Sequence, residues 1–165
     1  MSGGLSPDAA RALRFAIEEF NTEYAAALDA LEIDRWPDFF TEDAFYRVTA
    51  RENFDAGLPV GLVWCDGKAM IRDRAAAVKT TMVHAPRYLR HYVSNVRVTG
   101  LDADGIIAAE ANYLLVETLM EDETRLFQAG RYIDRFVSAG SGLLLKSRDC
   151  VYDSLLIPND MVYPV

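Results

Sequence analysis

Two histidines and two cysteines are all the imidazole and thiol ligands that this 165-residue chain carries. A Rieske iron–sulfur centre takes two of each. Cys65 is followed by Asp66 and Gly67, and Cys150 by Val151 and Tyr152, with no histidine close by, so the chain alone cannot hold that cluster. Zinc-ligand spacing, a Walker loop, GxGxxG and GxSxG are absent as well. A two-histidine, one-carboxylate iron site could formally recruit His84 and His91. One of them falls at a helix end and the other on a strand, and no spacing aims both inward.

Basic residues are also scarce: 17 Lys plus Arg stand against 25 Asp plus Glu, giving a net charge of -8 with the arginines scattered. That balance repels phosphate backbones and anionic lipid surfaces, so no nucleic-acid or membrane partner is expected. No unbroken apolar stretch approaches the roughly 18 residues needed to span a bilayer, and the first fifteen residues lack the order of an export signal. A soluble, cytoplasmic protein is expected. In that compartment Cys65 and Cys150 read as buried free thiols, not as a disulfide.

What the sequence does contain is apolar residues, 51% of the chain, without low-complexity tracts or repeats. Residues 1–165 are read as a single domain around one core. Ser6, Pro7 and Asp8 form a helix-start signal. Leu13, Ile17, Phe20, Tyr24, Leu28 and Leu31 then recur at helical spacing, which predicts a long amphipathic helix. Asp34 could cap a short second helix through Trp36 and Phe40, with Pro37 in its first turn, ended by the acidic stretch 41–43. Residues 44–49 read as a strand, 51–59 as a loop and 61–65 as another short strand. A third helix follows Asp66 and Gly67, with Ile71, Ala75, Val78 and Met82 on one face, and Pro86 stops it.

From residue 87 the pattern becomes extended: 87–99, 106–120, 124–137 and 142–153 are rich in β-branched and aromatic residues and joined by short turns. Links that short favour an antiparallel meander. The fold class is therefore α+β: a curved antiparallel sheet wrapped around a long N-terminal helix.

Such a cone can enclose a pocket in which an Asp or His works as general base beside a Tyr donor. Tyr46, Tyr113, Asp149 and His91 are the candidates for it. The plainer reading is favoured, because no pairing among them is demonstrable from one sequence. It makes His91 a wall residue held by backbone and carboxylates, the tyrosines half-buried sheet positions, and Arg72, Asp73 and Arg74 a solvated helix face.

Five stretches carry a resemblance in their order along the chain: RENFDAGLP from residue 51, DGKAMIRDRAAAVKTT from 66, APRYLRHYVSNVRV from 85, FQAGRYIDRF from 127 and SRDCVYDS from 147. Together they resemble the small (beta) subunit of aromatic-ring-hydroxylating dioxygenases, Rieske non-haem iron oxygenases. The resemblance implies an NTF2-like, cystatin-like cone with no catalytic, cofactor or metal residue of its own. It places the Rieske iron–sulfur cluster and the mononuclear iron in a larger alpha subunit, fed by NAD(P)H electrons through separate redox proteins. It also implies trimers of this chain within an alpha3beta3 hexamer. The wording is closest to salicylate, anthranilate and terephthalate systems. Under this reading the subunit interface draws on Arg87, Tyr88, Arg90, His91 and Tyr92, since Arg and Tyr supply much contact energy, and on Met161, Val162 and Tyr163. Leu155, Leu156 and Ile157 make the same tail too apolar to stay free. Two alternatives remain: a stand-alone lyase or isomerase resembling scytalone dehydratase or ketosteroid isomerase, and a ligand-binding or dimerising module without turnover.

Overall fold

Ser6 opens the first helix through its side chain, which accepts the Ala9 N–H at 3.2 Å while Pro7 occupies the first turn. In the computed structural model, which describes residues 5–154 and 161–165, this helix (α1) spans Pro7–Asp29. Its buried face carries Ile17, Asn21, Tyr24, Ala27 and Leu28. Leu31, expected to close the apolar stripe, lies beyond the helix with a positive φ of 58° and is 37% exposed. No helix among the described residues is long and apolar enough to cross a membrane.

The second helical segment is a 3-10 helix, Ile33–Phe39, and its cap position is Glu32 without a side-chain bond. Asp34 instead pairs with Lys79 of a later helix. Pro37 lacks an N–H, which suits a short, tight turn better than a continuing α-helix. Strand β1 then runs Phe40–Ala50, absorbing the acidic stretch that was expected to be a stop. The expected loop begins as a short helix, α2, Arg51–Asp55. Strand β2 is Val63–Asp66, and helix α3 is Lys68–Thr80, which leaves Met82 outside it and 39% exposed. The four long strands follow as expected: β3 Arg87–Leu101, β4 Ile107–Leu119, β5 Thr124–Ala139 and β6 Gly142–Tyr152.

These form one six-stranded sheet in the order β2-β1-β6-β5-β4-β3. Every neighbouring pair is antiparallel except β1 with β6, which pair in parallel from Phe45 opposite Ser147 to Ala50 opposite Tyr152. The meander thus returns to the strand laid down before it. Between β5 and β6 the backbones approach so closely that a Cβ on Gly130 would lie 2.1 Å from the Val151 carbonyl oxygen; only glycine fits.

Strand alternation decides which residues face the core. Ala44, Tyr46 and Val48 of β1, Leu89 of β3, Tyr113 and Leu115 of β4, and Tyr132 and Phe136 of β5 are buried. Trp36 sits edge-on to Tyr46 and to Phe40, with ring centroids 5.0 and 5.7 Å away. Contacts of this kind add about 0.5–1.5 kcal/mol each beyond area burial.

Candidate functional site: a filled interior and an open sheet face

Residues 161–165 run into the interior between α1 and the sheet. Val165 is fully buried. Its main-chain oxygen accepts from the Tyr24 hydroxyl at 3.1 Å, the Tyr46 hydroxyl at 3.2 Å and the Cys150 thiol at 3.6 Å. Its N–H donates to the Tyr46 oxygen at 3.0 Å. Met161, Val162 and Tyr163 are half-buried and packed on the core, with the Tyr163 ring edge-on to His84. Leu155, Leu156 and Ile157 lie outside the described residues.

A second buried assembly lies beneath the same helix. Arg148 donates from Nε and Nη2 to the two oxygens of Asp134, at 2.9 and 2.8 Å, and from Nη2 to Asn21 Oδ1 at 2.7 Å. Its guanidinium also lies over the rings of Tyr24 and Tyr132, 4.4 and 3.9 Å from their centroids. Burial pushes the Asp134 carboxyl above its ordinary value even though Arg148 pulls it down. At the far end, Glu117 is held between Arg87 at 2.8 Å and Arg125 at 2.6 Å.

His91 is a wall residue. Its ring Nδ1 lies 2.7 Å from Asp29 Oδ1, its Nε2 meets the Pro164 carbonyl oxygen at 3.3 Å, and its backbone N–H donates to Asp29 at 3.0 Å. The imidazole thus joins the end of α1 to the inserted segment. Glutamine at this position can satisfy one of those partners but not both. We expect His91→Gln to cost about 1–3 kcal/mol, the usual penalty for a buried polar partner left unpaired. The thermal midpoint should fall by about 2–12 °C. A midpoint within 1 °C or so of the parent's would contradict the bridging role.

The acid–base set does not converge. Tyr46 faces inward onto Val165, and the Tyr113 hydroxyl donates to Gln128 Oε1 at 2.7 Å. Asp149 lies on the opposite side of β6 from Arg148 and pairs with Arg47 at 2.6 Å. Burial lifts the phenols of Tyr46 and Tyr113 well above their ordinary range, so both stay protonated donors at neutral pH. Nor do the described residues fit an iron site: no three His, Cys, Asp or Glu side chains among them group as metal ligands. His91 already spends both ring nitrogens on the protein.

The expected interface residues split by strand alternation. Arg87 and His91 are buried on the inner face, whereas Tyr88, Arg90 and Tyr92 are exposed on the outer one. Cross-strand pairing sets Tyr92 opposite Leu114 and Arg90 opposite Val116, with Leu126 beyond Val116. Tyr88, Tyr92 and Leu126 are each about 60% exposed. Sequence reading missed Leu114 and Leu126, although period-2 alternation in β4 and β5 was the signal for them. It also missed a second cluster at the other margin of the sheet. There the Arg47 guanidinium lies 5.5–5.8 Å from the rings of Phe45, Phe54 and Trp64, beside exposed Leu58, Val60 and Leu62.

The fold and its filled interior define an NTF2-like cone whose surface, more than its cavity, is open to other molecules. Residues 23–159 match the family described as ring hydroxylating beta subunit, and the chain belongs to that family. It is 34% identical to the anthranilate 1,2-dioxygenase small subunit of Burkholderia cepacia, over 92% of this chain and 93% of that one. It is 32% identical to the terephthalate 1,2-dioxygenase terminal oxygenase component subunit beta 2 of Comamonas sp, over 90% and 96%. A solved structure from Novosphingobium aromaticivorans, assigned as the beta subunit of an aromatic-ring-hydroxylating dioxygenase, superposes with a TM-score of 0.85 at 38% identity, covering 94% of this chain and 99% of that one. The chain is thus a small subunit of an aromatic-ring-hydroxylating oxygenase complex.

Proposed function

We propose that this chain is a single-domain, non-catalytic subunit that organises a larger alpha subunit in a cytoplasmic alpha3beta3 oxygenase. The alpha subunit would carry the Rieske cluster and the mononuclear iron. The observation that carries this reading is the contrast between the two faces of the sheet. The inner face is occupied by 161–165 and by the Arg148–Asp134 pair, while the outer face presents Tyr88, Tyr92, Leu114 and Leu126 to solvent. An exposed aromatic and apolar patch of that kind is what association surfaces use.

Two different patches favour a ring. Tyr88, Arg90 and Tyr92 stand at the β3 margin, and Trp64 with Leu58 and Leu62 at the β2 margin. A head-to-tail contact between unlike patches closes into a cyclic trimer when the rotation permits. Arg87, His91, Met161, Val162 and Tyr163 serve from behind, fixing β3 in place. The named relatives act on anthranilate and terephthalate, so an aromatic carboxylate is the proposed substrate class of the complex.

Co-expression with the large subunit tests this. The purified complex should contain both chains in equal number by light scattering, with all tightly held iron lost when the large subunit is omitted. Ring oxygenation by this chain alone, or a small chain that never copurifies with a larger one, would refute it.

A further inference from the structure

Strand β3 ends the sheet, and part of its free edge is open. His91 donates its backbone N–H to Asp29 and not to β4, so its main-chain groups face away from the ladder. Direction alternates along an antiparallel strand, which turns the N–H and C=O of Val93 the same way. Leu89, two residues before His91, uses its carbonyl on the Arg90 side chain at 2.9 Å. Side chains thus close the edge at Leu89 and His91 and leave it open at Val93. We propose that Val93 and the groove between it and α1 accept an extended segment of the large subunit, joined to the sheet edge by backbone hydrogen bonds and bearing a basic side chain toward Glu18. The inference rests on the organising role above and names the contact that serves it.

The groove has a volume of about 570 Å³. Ala25 and Ala26 form its helical wall, and their methyl groups leave the space in front of Val93 unfilled. Past Val93 the strand bulges between Ser94 and Arg97, with Asn95 at a φ of 56°. Bulges and charged side chains are how an edge is protected from indiscriminate pairing. Here the bulge and Asp29 flank an opening, so a short guest fits and a full strand does not.

An unmatched donor lies in the same groove. Asn21 lines it and is 2% exposed. Its Oδ1 accepts from Arg148 Nη2 at 2.7 Å, which fixes the orientation of the amide, and Nδ2 has no partner among the described residues. Buried polar groups are as a rule hydrogen-bonded. A peptide backbone meets both needs at once: its carbonyls suit Asn21 Nδ2 and the Val93 N–H, and its N–H suits the Val93 carbonyl.

Charge selects the occupant. Glu18 and Asp29 are the acidic side chains of the lining, and no lysine or arginine is among the described residues there. Asp29 is committed to His91, whereas Glu18 is 47% exposed and meets Arg14 only at 3.5 Å. A basic guest side chain therefore finds its acceptor at Glu18. A second copy of this chain is the poorer occupant, because it carries a net charge of -8 and two identical edges would pair about a two-fold axis without forming a ring.

Hydrogen exchange on the two-chain complex tests the contact. The Val93 amide should exchange about tenfold more slowly in the complex than in the isolated small chain. Val93→Pro removes an N–H that the ladder does not use, at an edge position where proline is tolerated. It should weaken binding to the large subunit about tenfold, the effect of one lost hydrogen bond. Ala26→Arg, on the exposed side of α1, fills the groove and should weaken binding at least as much. Glu18→Lys should weaken it more at low salt than at high salt. If Val93→Pro does not fold, exchange in the parent and the Ala26→Arg variant decide. A parent chain that never assembles with a large subunit would defeat the organising role and this contact with it. A parent that assembles while Val93 stays unprotected, or a folded Ala26→Arg variant that assembles like the parent, would overturn the contact alone. Concentration-dependent protection of Val93 in the isolated chain would give the edge to a second copy and overturn it as well.

Discussion

Asp134→Ala is expected to destabilise the chain by about 3–5 kcal/mol, the cost of leaving a buried guanidinium without its counter-charge. For a domain of this size that corresponds to a drop of about 6–20 °C in the thermal midpoint. Arg148 and Asp134 are both fully buried, and Asp134 accepts two of the three hydrogen bonds described for the Arg148 side chain. Remaining to it would be Asn21 and the two tyrosine rings, which were arranged around a neutral pair. Stability of a domain is of order 5–15 kcal/mol, so the single change removes a large fraction of it. The paired replacement Asp134→Leu with Arg148→Met should recover most of the loss, since an apolar pair of similar volume needs no counter-charge. Melting curves of the parent, the single variant and the double variant decide the matter. A double variant as unstable as the single one would show that packing of the Arg148 stem over Tyr24 and Tyr132 dominates, and would contradict the electrostatic account.

The same pair shows what was legible in the sequence. Tyr132, Asp134 and Phe136 alternate along β5 with Ile133 and Arg135, and two of those three are plainly inward aromatic positions. A carboxylate on that row is a buried charge, and a basic partner had to exist; which of seventeen cations it was could not be read without the register that sets Asp134 opposite Arg148. Local periodicity carried the rest of what succeeded. The helical stripe through Ile17, Tyr24 and Leu28 and the four extended runs after residue 87 are patterns within single elements, and each is present. The parallel pairing of β1 with β6 and the insertion of 161–165 join segments about a hundred residues apart, and no local period encodes such contacts. His91 illustrates the division: it is buried while its neighbours Arg90 and Tyr92 face outward, the alternation that sends every second side chain inside.

That alternation determines where a change should abolish assembly without disturbing the fold. Tyr92 is 58% exposed and forms part of the wall of two depressions, one of about 570 Å³ beside α1 and one of about 610 Å³ over β4 and β5, so it stands as a ridge between them. Leu114 lies directly across from it on β4. A protruding aromatic flanked by hollows, with an aliphatic neighbour, has the form of an interface anchor, whose truncation typically costs 2 kcal/mol or more, about 30-fold in affinity. Tyr92→Asp and Leu114→Asp are therefore each expected to leave the isolated chain within about 0.5 kcal/mol of parent stability, as for other surface changes. Both should sharply reduce recovery of the two-chain complex, and activity should fall in proportion to the complex lost. Arg11→Gln, on the solvent side of α1, is the matched control and should assemble normally. Light scattering and turnover on one preparation separate the cases: under the organising role proposed above, activity per assembled complex should stay at the parent level. Two charged variants that assemble as well as the control would place the docking surface elsewhere, with the Trp64 margin the next to be tested.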